Sequence, residues 1–119
     1  MTEQTPNTCS MFGAFNLRSG YDLTTFKAAF DAFCDHLNEA GYLISHRLWR
    51  RARHEGYDTR FPDVAVVLEM RFHSYQASLD AWDYVGMRTE PLNGLHVAMN
   101  KQVQETHFVL LHEVGSDAV

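Results

Sequence analysis

Cysteine is scarce in this 119-residue sequence. Cys9 and Cys34 are the two present, with no Cys-x-x-Cys spacing and no histidine at a finger-like distance. That excludes a dense disulfide framework and a zinc-finger motif. Two reduced, buried thiols are expected, with one bridge between them the formal alternative. No stretch approaches the roughly 20 apolar residues of a membrane helix. The start, Met1-Thr2-Glu3-Gln4-Thr5-Pro6-Asn7, has neither a basic opening nor an apolar run behind it, so a signal peptide is not expected and a cytoplasmic protein is. A phosphate-cradling glycine loop and a Gly-x-Ser-x-Gly elbow are both missing, which leaves nucleophilic hydrolysis without support. Positive charge is short as well. Ten Lys and Arg stand against fifteen Asp and Glu, a net charge of −5 with a pI near 5.7, and such a field opposes nucleic-acid binding. The local exception is Arg47, Arg50, Arg51, Arg53 and Arg60, half of all the cations within fourteen residues; a nucleic-acid contact would have to use this run.

What is present suits a globular chain. Hydrophobic residues are 45% and charged residues 21%, close to the average for one packed domain. We find no repeat, low-complexity tract or flexible linker, and expect one domain over residues 9–114 between flexible tails at 1–8 and 115–119. Within it the apolar period alternates between two and three-to-four residues. Residues 9–17 read as a strand. Asp22 is placed to cap a helix on which Leu23, Phe26, Phe30, Phe33 and Leu37 recur at helical steps, with Gly41 as its stop. Leu43–Arg53 reads as a strand with Ile44, His46 and Leu48 in one row and Ser45, Arg47, Trp49 and Arg51 in the other. Residues 54–62 form a polar turn. Asp63–Phe72 is a strand with a wholly apolar row from Val64 to Phe72. Tyr75, Leu79, Trp82 and Val85 mark a helix and its core stripe; Leu92, Leu95, Met99 and Val103 mark another helical piece after a break at Pro91. Glu105–Val114 closes as a strand.

The order βαββαβ, with its second helix interrupted, predicts an α+β, ferredoxin-like fold: a four-stranded antiparallel sheet carrying its helices on one face. The other face would expose Phe12, Trp49, Val67, Val109 and Leu111 together, a patch large enough to need a cover. A second copy is the simplest cover, and a homodimer is expected.

Asn16-Leu17, Arg47-Leu48 with Arg50-Arg51, Glu69-Met70-Arg71, and Leu95-His96 with Asn100, taken in this order over about residues 10 to 113, resemble the dimeric α+β barrel superfamily and a small uncharacterised family within it. The resemblance implies two ferredoxin-like protomers joined through their open sheet faces. It does not fix an activity, because that superfamily holds cofactor-free monooxygenases, haem-degrading enzymes, dye-decolourising peroxidases and proteins with no known reaction.

Two groups of residues are candidates for a site. Asn16, Arg47, Arg51, Glu69 and Arg71 form a polar row on the sheet. A carboxylate among guanidiniums can build a forked clamp for an anion, or an interface network that fixes dimer register. His96 and Asn100 are four apart on a helix and share a face; an imidazole and a carboxamide there can orient a carbonyl or dioxygen and move a proton. Together they predict a small organic ligand between sheet and helices, with His96 as acid or base, Arg71 or Arg47 stabilising an enolate or carboxylate, and Asn16, Arg47, Trp49, Glu69 and Asn100 as binding residues. Cofactor-independent oxygenation or proton transfer would then be the chemistry, with no cofactor and no metal. The alternative is a non-catalytic assembly module. Asn16, Trp82 and His96 also follow the order of the residues that hold haem in the haem-degrading enzymes, although the break from Pro91 to Gly94 lengthens the gap between the last two.

Overall fold

The computed structural model describes residues 8–58 and 60–114. Strand β1 (Cys9–Leu17) leads into helix α1 (Leu23–Glu39), then β2 (Leu43–Arg50), β3 (Val66–Phe72), α2 (Tyr75–Gly86), α3 (Leu92–Asn100) and β4 (Val103–His112). The sheet is antiparallel in the order β2-β3-β1-β4, the ferredoxin-like arrangement. The expected tails fall almost wholly outside the described residues. Thr8 is the exception: it is buried, and its Oγ1 donates to Glu113 at 3.0 Å.

Helix α1 forms as its apolar spacing requires. The Asp22 carboxylate accepts from the Thr25 amide at 2.8 Å, which satisfies one of the unpaired first-turn donors. Gly41 ends the run at φ +92°, a conformation that a Cβ disfavours. Phe26, Phe30, Phe33 and Leu37 are buried against Phe15, Val66, Leu68, Met70 and Phe72 of the sheet. Both cysteines are free and buried, and burial raises both thiols. His112 Nδ1 lies 3.3 Å from Cys9 Sγ.

Two bulges correct the simple alternation. In β2 the register shifts between Leu43 and Ser45, so Leu43 takes the buried position and Ile44 is thrown out of the His46–Leu48 row, 38% exposed. In β4, Glu105 and Thr106 together face Phe15, with Glu105 at φ +56°. The bulge changes which residues face the helices, from Val103 before it to Thr106, Phe108 and Leu110 after it. Strand β2 ends at Arg50, not Arg53, because Arg51 turns into the following loop. Val103 opens β4 and does not close the last helix.

Helix α2 also departs from its expected stripe. The small residues Ser78 and Ala81 take its buried face, and Tyr75, Leu79 and Trp82 lie on the flank at 44%, 38% and 74% exposure. Trp82 is therefore no core residue.

Candidate functional site

Sheet and helices do not close fully on one another. A cavity of about 540 Å³ remains between them, walled by Met11 and Met70 of the sheet, Phe33 of α1, Trp82 of α2, Met99 of α3 and Phe108 of β4. Size and apolar lining are those of a small-molecule site. Gly13 makes room for one wall: a Cβ there would stand 2.7 Å from the Phe108 ring, so the ring lies close against the β1 backbone.

Polar groups on this wall are few: Ser78, His96, Asn100 and Thr106. Ser78 Oγ donates back to the Tyr75 carbonyl at 2.6 Å and is occupied. His96 is the one titratable side chain on the wall among the described residues. Its ring tilts against Phe33 with centroids 5.6 Å apart, and burial holds its pKa below the ordinary value, because an imidazolium there would lose hydration. Among the described residues no side chain or backbone group hydrogen-bonds to the His96 ring. Asn100 lies one helical turn further on, on the same wall, as the i,i+4 spacing predicts.

The polar row on the sheet lies elsewhere. Leu68 and Met70 face the cavity, so alternation turns Val67, Glu69 and Arg71 to the opposite face. Arg47 pairs in register with Glu69, and Trp49 with Val67. Arg47, Trp49, Glu69 and Arg71 thus stand on the open face and do not border the cavity that His96 and Asn100 line. The expected single polar end is two separate groups.

Nor do the guanidiniums gather around Glu69. Its Oε2 accepts from Ser10 Oγ at 3.5 Å, while Arg71 pairs with Glu113 at 2.7 Å. Arg51 donates to the Pro62 carbonyl at 2.6 Å and to Asp58 at 3.1 Å, and its guanidinium lies 5.1 Å from the Phe61 ring centroid. It clasps the 51–63 loop. Arg53 pairs with Asp63 at 2.9 Å.

Asn16 is committed too. Its Nδ2 donates to the Asp63 carbonyl at 2.9 Å and to Glu105 Oε1 at 3.2 Å, and its Oδ1 accepts from the Ala65 amide at 2.9 Å. It ties the loop to the β4 bulge. Trp82 and His96 do share the cavity wall, but Asn16 is absent from it, so the three residues needed around a haem are not assembled.

Sequence reasoning passed over the residues at the α2–α3 end. A second recess of about 550 Å³ shares Trp82, Val85, His96 and Asn100 with the cavity and adds Arg88, Asn93 and Lys101. The available signal was that Arg88 and Lys101 each follow the end of a helix whose face carries Trp82 or His96.

A four-stranded antiparallel sheet with its helices on one face, and a chamber between the layers, defines a ferredoxin-like α+β fold. Residues 10–118 match the Family of unknown function (DUF6614), and the chain belongs to it. A search of curated proteins gives no match. Among solved structures the chain is similar to SnoaB, a cofactor-independent oxygenase from Streptomyces nogalater. That match is 12% identical with a TM-score of 0.64, covering 95% of this chain and 99% of that one. It is also similar to the hydroxynitrile lyase from Passiflora edulis, at 10% identity and TM-score 0.64 over 94% and 98% of the two chains. A dimeric ferredoxin-like protein of unknown function from Thermobifida fusca matches at 5% identity and TM-score 0.55 over 95% and 97%. At these identities the likeness is one of fold.

Proposed function

We propose that the protein is a homodimer whose protomers each bind a small, largely apolar organic molecule in the chamber, and that His96 moves a proton to or from it. The observation that carries this reading is an imidazole without a hydrogen-bond partner among the described residues, on a mostly apolar wall. Burial keeps that imidazole neutral near pH 7, so it is ready to accept a proton. An acidic C–H or O–H of the ligand gives its proton to a His96 ring nitrogen. The bonding pair stays on the ligand as an enolate or phenolate, whose oxygen can accept from Asn100 Nδ2. Arg47 and Arg71, on the opposite face, have no part in this step.

A carbanion made in this way can react with dioxygen as co-reactant or be reprotonated. SnoaB is a cofactor-independent oxygenase and the Passiflora protein a hydroxynitrile lyase; the apolar lining and single imidazole base of this chamber suit either fate of the carbanion. Deuterium exchange into an aryl 1,3-diketone, followed by NMR, tests the first step. The unmodified protein should exceed the His96→Gln variant by about 100-fold, with a rate that rises with pH to a plateau and has its midpoint below pH 6.5. Equal rates in the two proteins would remove proton transfer and favour a binding or assembly role.

A further inference from the structure

We infer that the ligand is an amphipathic anion, with an apolar body in the chamber and a carboxylate-class headgroup at the His96–Asn100 end, met there by Arg88 and Lys101. The inference rests on the ligand-binding reading above and adds the chemical class of the ligand and two residues that select it.

Chamber and recess adjoin, since Trp82, Val85, His96 and Asn100 line both. Charge differs between the two. The inner wall is apolar; the outer end carries two cations, Arg88 and Lys101, beside Asn93. Carboxylates outnumber cations in the chain, fifteen to ten, yet none lines either space among the described residues. Four of the ten cations, Lys27, Arg51, Arg53 and Arg71, are held in ion pairs among the described residues. Neither Arg88 nor Lys101 is, among the described residues. The neighbouring Glu90 is already used: it accepts from the Gly94 amide at 3.0 Å and from Asn93 at 3.4 Å.

Arg88 also stands where glycine is usual. It follows the α2 cap at φ +56°, the left-handed position that commonly ends a helix and that a side chain disfavours. An anion could not stay ionised deep among Met11, Phe33 and Met99 without losing its hydration. At the mouth it would keep water and gain two unpaired cations. Both cations also sit at helix C-termini, where they complement the dipole, so the test must separate that role from ligand selection.

Two probes with one ring system do so: 8-anilinonaphthalene-1-sulfonate and its uncharged parent N-phenyl-1-naphthylamine, titrated by fluorescence. The intact protein should prefer the sulfonate by about tenfold, as two partly exposed charge contacts allow. The Arg88→Gln/Lys101→Gln double variant should lose that preference and still bind the neutral probe as before. Added salt should weaken the sulfonate alone. Filling the chamber with Thr106→Trp should weaken both probes, and Trp49→Ala on the far face should weaken neither. Equal affinity for the two probes, or a preference that survives in the double variant while only thermal stability falls, overturns the anion and leaves the chamber reading in place. Failure of both probes to bind, indifference to Thr106→Trp, or loss through Trp49→Ala overturns the chamber reading and this inference with it.

Discussion

His96 and Asn16 show how one side chain can be read from the sequence or missed. The i,i+4 spacing of His96 and Asn100 places both on one helix face whatever the tertiary structure does, and both line the cavity. Asn16 carries no such local signal. Its three partners lie on Asp63, Ala65 and Glu105, far away in sequence, and a loop tie then looks the same as a ligand-binding amide. Replacing Asn16 with Ala should lower stability by about 0.5–1.5 kcal/mol, since a backbone amide and a carbonyl exchange their partner for water; urea denaturation measures it. His96 gives a pH prediction. Its folded pKa lies below the ordinary 6.5, so in the interval between the two values the unfolded chain binds the extra proton. Stability is full above the unfolded value and declines as pH falls through the folded one. The fall in melting temperature as pH drops below about 6.5 should be shallower in His96→Gln, and the His96 ring resonance should titrate below 6.5. Asp31 acts in a separate and more acid window. A hydrogen bond from Lys27, and then one with His46, lowers it below 3.8, and the stability it adds is lost only as pH falls through that lowered value.

Elements were legible where packing repeats and obscure where a strand breaks its alternation. Helix α1 and the buried row of β3 follow directly from periodic apolar residues. The bulges at Ile44 and Glu105 do not, because neither position holds the glycine that would advertise it. The Leu43–Arg53 stretch looked continuous for a related reason: Arg51 has the alternation of a strand residue, but its guanidinium finds the carbonyls of Pro62 and Val64 and the carboxylate of Asp58 within the loop. Arg51→Ala should free that loop. Limited trypsin digestion should then cut at Arg53 or Arg60 much faster than in the intact protein, and Arg51→Lys should rescue it only in part, since an ammonium cannot reproduce the fork.

At the scale of the molecule, the open sheet face is the feature that asks for a partner. Trp49, Val109 and Leu111 are each close to half exposed there, beside Phe12 and Val67 in register. This pattern was readable in advance because alternation alone assigns those residues to one side. Sedimentation should give twice 13.7 kDa. A Trp49→Asp/Val109→Asp variant should sediment as a monomer with its helical circular dichroism retained, and a wild-type monomer at micromolar concentration would remove the pairing. No helix among the described residues is long and apolar enough to cross a membrane.

The extra residue at Glu105 and Thr106 has an effect that reaches both sides of the sheet. It acts as a frame shift in three dimensions: downstream of it, even-numbered residues furnish the chamber and odd-numbered ones the exterior. Deleting Glu105 would rotate the whole outer half of β4, sending Phe108 and Leu110 outward and His107 and Val109 inward. One codon's worth of chain thus decides, at a single stroke, what the interior can hold and what a second molecule would meet.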